Sequence, residues 1–413
     1  TPMNDNTPVN IDLDNPEFQC AWNLLQNTHK SVFLTGKAGS GKSTFLKYIC
    51  KNTKKKNIVL APTGISAVNV GGQTLHSFFK IPFKPLLPDD PEFSPRKIRQ
   101  TLRYSKDKVK IIRELELIII DEISMVRADI IDFIDKVLRV YSNNMREPFG
   151  GKQMLFVGDI YQLEPVIKEE DRQLLRPFYK SGYFFDANVF RQMRQVCIEL
   201  RKVYRQNDTE FIGILDNIRI SQVSDRQLSM LNTRVGAEVD NNDGQLSITL
   251  STLRDTVDFI NQRKLDELEG EQMMFQGNVQ GEFPVNSLPT PMELILKIGA
   301  QVLFVKNDKE KRWVNGTLGT ITGVDEEGYN YITILLENGL EFDVEREVWS
   351  NMRYTFDETE KKIVEEEIGT YTQFPIRLAW AITVHKSQGL TFSNVKIDFT
   401  GGVFAAGQTY VAL

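Results

Sequence analysis

The segment that most constrains the fold is the glycine-rich sequence SVFLTGKAGSGKST at residues 31–44. A short apolar run, Val32–Leu34, precedes the pattern Gly-x-x-x-x-Gly-Lys-Ser, so the pattern lies where a buried strand ends and a helix begins. Glycine permits the tight turn that directs successive backbone N–H groups at phosphate oxygens. The pattern predicts a phosphate-binding loop for a nucleoside triphosphate, and a glycine-rich turn without a nucleotide is the alternative. The loop and first helical turn comprise Gly36, Ala38, Gly39, Ser40, Gly41, Lys42, Ser43 and Thr44.

An acidic pair follows the next strongly apolar segment. The run Leu117–Ile120 predicts a strand buried on both faces, and it leads directly into Asp121 and Glu122. In an enzyme with a phosphate-binding loop, Lys42 contacts the β- and γ-phosphates, and Mg²⁺ is held by a hydroxyl, here Ser43, and by a carboxylate, here Asp121. Glu122 is then placed to take a proton from the attacking water. A plain strand-end turn is the alternative, although two adjacent carboxylates without a metal would repel each other.

Three further side chains are candidates for the nucleotide site. Gln19 lies on a predicted helix just before the loop, and its amide can donate to and accept from the adenine edge at once. Gln162 follows a predicted strand and is suited to sensing the γ-phosphate or orienting water. Arg205 follows the strand that begins near Cys197, where we place the change of domain, and is suited to the role of an arginine finger. Each of the three also fits an ordinary surface position.

Composition limits the class of protein. The net charge of −5 gives no global sign of a nucleic-acid partner, but a local channel would suffice for a motor protein. The three scattered cysteines indicate neither a disulfide framework nor a zinc site and favour a reducing compartment. No apolar run approaches the roughly twenty residues needed to span a bilayer, and no signal-peptide pattern is present. We therefore expect a cytoplasmic location, at the nucleoid of a bacterium, without a membrane partner.

The pattern of segments predicts an α/β protein with two domains and two insertions. Residues 1–194 form the first domain, and a proline-rich, then basic insertion occupies about residues 78–110. The second domain comprises residues 195–298 and 374–413. Between them, residues 299–373 show short alternating strands separated by Asn-Gly and Glu-Gly turns, which predict a small antiparallel barrel or sheet. The first insertion is either a linker or an element that shapes a nucleic-acid path.

Polar loops follow two other predicted strands. After Ile58–Ala61 comes a loop of small and hydroxyl residues that includes Thr63, and this composition suits contact with a phosphodiester backbone. His385 ends another apolar strand within a polar cluster, where ligand contact is favoured over a structural role. Phe78 and Phe79 are candidates for base stacking, although core packing explains them equally well.

Together these motifs resemble the PIF-type helicases (named for petite integration frequency), RecD-like members of superfamily 1B. The resemblance runs from Gln19 to the end of the chain, and residues 129–151 match the insertion that distinguishes this branch. Its most specific stretches are APTGISAVNVGGQTLHSFF from Ala61, IIIDEISM from Ile118, FGGKQMLFVGDIYQLEPV from Phe149 and AWAITVHKSQGLTF from Ala379.

The resemblance implies two RecA-like domains that couple ATP hydrolysis, with Mg²⁺, to 5′-to-3′ movement on single-stranded DNA. It implies unwinding of duplex or quadruplex DNA in repair, recombination and telomere maintenance, by a monomer or by a dimer on DNA. The first insertion corresponds to the strand-splitting wedge. Gln162 corresponds to the γ-phosphate sensor and Arg205 to an arginine finger, while Gln19, Gln388 and Gly389 lie near the nucleotide. The residues expected along the DNA path are Thr63, Gly64, Thr74, His76, Thr383, His385, Lys386 and Ser387.

One alternative function remains open, two are excluded, and the chain departs from the family pattern at one point. A non-motor, ATP-dependent switch that binds single strands would share every nucleotide residue. A GTPase is excluded because no Asn-Lys-x-Asp selector is present, and a nuclease lacks a spare carboxylate cluster. The family pattern continues past Leu413 into Ser-Arg, where the arginine is a second finger; a molecule without it is expected to bind DNA but hydrolyse ATP poorly.

Overall fold

A computed structural model describes most of the chain. The described residues are 11–37, 39–64, 67, 71–159, 161, 165, 167–202, 209–237, 245–357, 359, 362–387, 390, 392–402 and 412–413. They form two compact units. The first contains the described residues up to 202, apart from Tyr161, together with those in 352–367, and the second contains the rest.

The first unit is built on a six-stranded sheet in which every pairing is parallel, with the order β3-β2-β4-β5-β1-β6. Because all the strands run the same way, their carboxyl ends meet at one edge of the sheet. The strands are β1 (Val32–Gly36), β2 (Asn57–Ala61), β3 (Gln73–Thr74), β4 (Leu117–Ile120), β5 (Gln153–Gly158) and β6 (Val196–Leu200).

Helices cover both faces of this sheet. The first helix begins at Pro16, because the Asn15 side chain accepts hydrogen bonds from the backbone N–H groups of Glu17 and Phe18 and proline suits the first helical turn. The helices are α1 (Pro16–Asn27), α2 (Lys42–Asn52), α3 (Leu75–Phe79), α4 (Ile98–Leu102), α5 (Lys106–Glu114), α6 (Ala128–Tyr141) and α7 (Glu169–Leu175).

Strand β4 is buried on both faces, as predicted. Leu117 and Ile119 pack with α1 and α2, whereas Ile118 and Ile120 point to the opposite core, which contains α6. All four side chains are fully buried. The strand that carries the acidic pair is therefore held between two apolar layers.

The proline-rich insertion packs onto the first unit rather than forming a free linker. Leu86, Phe93, Ile98 and Leu102 join the same core as α6. Its backbone is also fixed by a buried charge, because the N–H of Leu86 donates to the Asp129 carboxylate at 2.9 Å.

Strand β6 lies in the first sheet. Val196–Leu200 pairs in parallel with β1, with Val196 opposite Val32 and Leu200 opposite Gly36. The sequence analysis starts the second domain at residue 195, so it separates this strand from the sheet to which it belongs. An alternating apolar pattern identifies a strand but does not specify its neighbour, which explains the difference.

The second unit combines parallel and antiparallel sheets. A parallel sheet has the order β18-β7-β19, and a five-stranded antiparallel sheet has the order β14-β13-β12-β11-β17. One smaller sheet pairs β10 with β8, and another joins β9 to β16 and β16 to β15; the residues of β15 and β16 within 352–367 are counted in the first unit. The helices are α8 (Thr209–Arg219), α9 (Asp225–Asn232), α10 (Arg254–Glu267) and α11 (Val384–Ser387). The remaining strands are β7 (Ser247–Ser251), β8 (Met273–Gln276), β9 (Asn278–Gly281), β10 (Glu293–Leu296), β11 (Gln301–Phe304), β12 (Leu318–Val324), β13 (Tyr331–Leu336), β14 (Glu341–Glu345), β15 (Glu347–Asp357), β16 (Lys362–Gln373), β17 (Ile376–Leu378), β18 (Ala381–Thr383) and β19 (Asn394–Asp398).

The fold class is confirmed: parallel α/β sheets are combined with antiparallel sheets in the region predicted to be β-rich. Among the described residues, every helix is too short or too polar to cross a membrane.

One buried glutamine connects the two kinds of sheet in the second unit. The Nε2 of Gln301 donates to the carbonyl oxygens of Ser247 and Ala379, each at 2.8 Å. Gln301 is 7% exposed, so water cannot readily replace these bonds.

We expect Gln301→Met to lower the free energy of unfolding by about 1–3 kcal/mol, because the carbonyl oxygens of Ser247 and Ala379 lose their donor and the Ala379 bond is buried. Three of the four tryptophans (Trp313, Trp349 and Trp380) belong to the second unit, so tryptophan fluorescence during urea unfolding reports mainly on it. Gln276→Met, at an exposed position, is the control. Equal midpoints for the two variants would contradict this role.

Candidate functional site

The phosphate-binding loop connects β1 to α2. Gly39 and Gly41 have φ angles of 78° and 88°, a left-handed conformation that glycine adopts at little cost. Gly41 is the N-cap of α2 and provides no side-chain acceptor for the first N–H groups of the helix. A Cβ on Gly36 would lie 2.5 Å from Ser40 Oγ and 3.0 Å from Leu200 Cβ. This backbone therefore has the shape and the donors that a phosphate group requires.

Lys42 extends back across the loop. Its Nζ donates to the carbonyl oxygens of Gly36 at 2.6 Å and Lys37 at 2.8 Å. Ser40 is fully buried, whereas Ser43 and Thr44 are exposed on the first turn of α2. The ammonium group therefore lies at the loop, and the Ser43 hydroxyl is accessible to a ligand.

The acidic pair lies at the end of β4, on the same sheet edge as the loop. The Glu122 N–H donates to Asp121 Oδ1 at 2.9 Å. Burial raises the pKa of Asp121, and the Lys42 charge opposes this shift. Burial and the Asp121 charge raise the pKa of Glu122 to about 7, again opposed by Lys42. Lys42 and the acidic pair are thus close enough to interact electrostatically, as the sequence predicts.

Glu122 has an unusual backbone conformation. Its φ of 50° and ψ of 45° place a non-glycine residue in the left-handed region. Such conformations cost of order 1–3 kcal/mol and are concentrated at functional sites.

Asp159 was not identified from the sequence. It is fully buried directly after β5, the strand between β4 and β1, and its charge raises the pKa of Glu122. A local signal exists, because Asp159 is a carboxylate directly after a strongly apolar predicted strand, as Asp121 is after β4.

The oxygen donors at this edge suit Mg²⁺. The ion typically takes one or two protein oxygen ligands together with substrate phosphates and water. The Asp121 carboxylate and the Ser43 hydroxyl are hard oxygen donors of this kind, and the Lys42 charge is nearby.

Gln19 is exposed on α1, and its Nε2 donates to the Leu13 carbonyl oxygen at 2.5 Å. Its amide is therefore accessible to a base at that surface. Five predicted site residues lie outside the described part of the chain: Ala38, Gln162, Arg205, Gln388 and Gly389.

The structure brings the first-unit DNA candidates to one end of the sheet. Thr63 and Gly64 follow β2, and Thr74 ends β3, which pairs in parallel with β2. Thr74 Oγ1 accepts a hydrogen bond from the Ser77 N–H at 3.1 Å and so caps α3, which carries His76. Phe78 and Phe79 are fully buried, so the prediction that either could stack on a base is wrong, and both belong to the core.

The second-unit candidates lie where β18 meets α11. Thr383 Oγ1 accepts from the Lys386 N–H at 3.4 Å, and the buried Ser387 hydroxyl donates to the Val384 carbonyl at 2.7 Å. Burial lowers the pKa of His385, so its imidazole is neutral at pH 7. The Ser387 hydroxyl is thus already bonded within the helix.

Two arginines that the sequence analysis missed lie near Lys386. Burial, followed by the charges of Arg377 and Arg254, lowers the pKa of Lys386 to about 8. Asp258, which pairs with Arg254 at 3.8 Å, partly offsets this effect. Arg254, Arg377 and Lys386 come from distant parts of the sequence, so no local pattern could group them.

Comparisons with known proteins point in one direction. A family model described as "PIF1-like helicase" matches residues 19–229. The human ATP-dependent DNA helicase PIF1 is 34% identical over 390 residues, covering 93% of this chain and 56% of that protein. The chain thus spans little more than half of this relative's length.

Two solved structures are also similar. Pif1 of a Bacteroides species in complex with ADP-AlF4 is 42% identical, with a TM-score of 0.87 over 97% of this chain and 90% of that one. Bacteroides Pif1 bound to single-stranded DNA is 42% identical, with a TM-score of 0.65 over 98% and 90%.

We expect Glu122→Gln to reduce ATP hydrolysis by about 10²–10⁴-fold, because an amide cannot accept the proton of the attacking water. ATP binding is expected to persist, since glutamine keeps the size of the side chain and adds no charge. Phosphate release and equilibrium binding of a fluorescent ATP analogue would measure the two effects. Glu170→Gln, at an exposed position on α7, is the matched control. Wild-type turnover by Glu122→Gln would assign the proton acceptor elsewhere.

Proposed function

The chain belongs to the PIF1-like helicase family, and we propose that it is an ATP-dependent DNA helicase that moves 5′-to-3′ along single-stranded DNA. One observation carries the proposal: the phosphate-binding loop, the acidic pair and the DNA candidates of the first unit (Thr63, Gly64, Thr74 and His76) all follow carboxyl ends of strands in one parallel sheet. A nucleotide and a nucleic-acid strand bound there would contact neighbouring loops.

We assign roles to the nucleotide residues as follows. The N–H groups at the start of α2 and Lys42 bind the phosphates, and Ser43 and Asp121 hold Mg²⁺, which neutralises phosphate charge when it is bound. Glu122 accepts the proton of the attacking water. Gln19 contacts the adenine edge, as in the family pattern. Of the residues outside the described part of the chain, Gln162 senses the γ-phosphate, Arg205 stabilises transition-state charge, and Ala38, Gln388 and Gly389 contact the nucleotide.

DNA is held by its backbone in both units. In the first, Thr63, Gly64, Thr74 and His76 offer small and polar groups at the ends of β2 and β3. In the second, Lys386 adds positive charge near Thr383 and His385, and Arg254 and Arg377 increase it. Contacts with phosphate do not read sequence, so we expect binding to depend on salt and little on base order.

Domain roles and cellular setting extend this proposal. Residues 1–194 together with β6 act as one RecA-like motor domain. Residues 195–298 and 374–413, without β6, form the second, and the β-rich segment 299–373 is its added module. The substrates are single-stranded DNA and duplex or quadruplex DNA, unwound by a monomer or a dimer in genome maintenance. The setting is the cytoplasm, at the nucleoid in a bacterium.

Unwinding of partial duplexes tests direction and mechanism together. We expect strand separation on a duplex with a 5′ single-stranded overhang and not on one with a 3′ overhang, with ATP and Mg²⁺ required. Lys42→Ala is expected to reduce the rate by about 10²–10³-fold, the range for removal of one charge-stabilising donor. Lys47→Ala, an exposed lysine on the same helix, is the matched control.

The outcomes separate the proposal from its alternatives. Unwinding only from the 3′ overhang would reverse the direction. DNA-stimulated hydrolysis without strand separation would favour the non-motor switch.

A further inference from the structure

One large aromatic side chain of the first insertion is almost completely exposed. Phe83 is 92% exposed, the highest value among the exposed large apolar residues of the described chain. Its ring stacks on the imidazole of His76, with centroids 4.8 Å apart and planes 6° apart. The described structure gives Phe83 no other aromatic contact. His76 therefore lies against one side of the ring, and the opposite face is fully open to solvent.

The loop that carries Phe83 is held in place from both sides. Pro82 and Pro85 restrict its backbone. The Arg127 guanidinium donates to the Lys84 carbonyl oxygen at 3.2 Å, and the Leu86 N–H donates to Asp129 Oδ2 at 2.9 Å.

Arg127 and Asp129 are themselves joined by two hydrogen bonds, at 3.0 and 2.9 Å, and Asp129 is 1% exposed. The exposed ring is thus presented by a fixed loop, so binding of a partner to the ring costs little conformational entropy in the loop.

The charges around the ring favour an anionic partner. Burial, followed by the charge of Arg127, lowers the pKa of His76, so the stacked imidazole is neutral at pH 7. Lys80, three residues before Phe83, is exposed and close enough to lower the pKa of Lys108. Lys84, the next residue, lies 3.6 Å from Asp90. Asp129 is compensated by Arg127, and the exposed Lys80 and Lys84 lie within three residues of Phe83, so the charges beside the ring in the loop are positive.

We propose that the Phe83–His76 stack is a platform on which one unpaired base of single-stranded DNA stacks, while the exposed Lys80 attracts the adjoining phosphates. This inference rests on the proposed function and names one contact of that DNA path. His76 lies on α3, directly after Thr74, so the platform continues the end of the sheet already assigned to DNA. A base suits the open face of a flat ring, and the positive surroundings suit its phosphodiester links.

A binding experiment with a single abasic site isolates the contact. The probe is a fluorescein-labelled oligothymidylate, in which one base at a time is removed while the backbone is kept. We expect the wild type to lose about tenfold in affinity at one position, within the range for one base–aromatic stack. Phe83→Ala is expected to bind the intact strand about tenfold more weakly and to lose nothing further at that position. Phe83→Trp is expected to retain both wild-type affinity and the position-dependent loss.

The controls separate stacking from general damage. Because Phe83 is exposed, Phe83→Ala is expected to fold normally, which its ATP hydrolysis without DNA checks directly. Phe259→Ala replaces another exposed phenylalanine, 64% exposed on α10, and is expected to match the wild type at every position.

The possible failures point to different conclusions. Wild-type affinity for Phe83→Ala, with the same abasic profile, would overturn the platform and leave the ring as a surface for another protein. If such a variant still unwinds DNA, the proposed function stands without the platform. If the wild-type chain does not bind the oligonucleotide, both the platform and the proposed function are refuted.

Discussion

The parallel pairing of β1 with β5 and of β5 with β4 determines where the chemistry lies. In this register Thr35 is opposite Gly158, and Ile120 is opposite Phe156. The loop after β1, the acidic pair after β4 and Asp159 after β5 consequently begin within a few ångströms of one another along the strands. None of these groups is near another in sequence, so the ladder of backbone hydrogen bonds is what assembles the site.

The acidic site after β4 contains unfavourable features that the rest of the fold must offset. Asp121 is 8% exposed and Asp159 is fully buried; desolvation opposes ionisation of Asp121 and Glu122, and the charges of Asp121 and Asp159 further oppose ionisation of Glu122. The left-handed backbone of Glu122 adds strain. The compensation comes from β4, whose four apolar side chains are buried between two cores. A rigid apolar strand can thus hold a charged and strained end in one place.

Local elements could be predicted from the sequence more accurately than strand pairing and side-chain burial. The glycine-rich loop between a strand and a helix, the strand Leu117–Ile120 and the short antiparallel strands within residues 299–373 follow from patterns a few residues long, and the structure confirms all three. The pairing of β6 and the burial of Phe78 depend on packing between distant segments. The same limitation hid Asp159 and the exposed Phe83, since residue type alone does not determine whether a side chain is covered by the rest of the chain.

In the first unit, the nucleotide candidates and the DNA candidates lie at the same edge of the sheet, and a backbone hydrogen bond also connects them. The N–H of Asp121 donates to the Leu60 carbonyl oxygen at 2.9 Å, so the acidic loop is hydrogen-bonded to β2. Two peptide units beyond Ala61, the last residue of β2, the chain reaches Thr63, and β2 in turn pairs with β3, which ends at Thr74. The shortest bonded path from the acidic pair to the DNA candidates therefore crosses one interstrand hydrogen bond. Under the proposed function, any movement of Asp121 during the ATP cycle would be transmitted to Leu60 through this hydrogen bond. Such a short and stiff connection is what coupling of hydrolysis to a change in DNA grip requires.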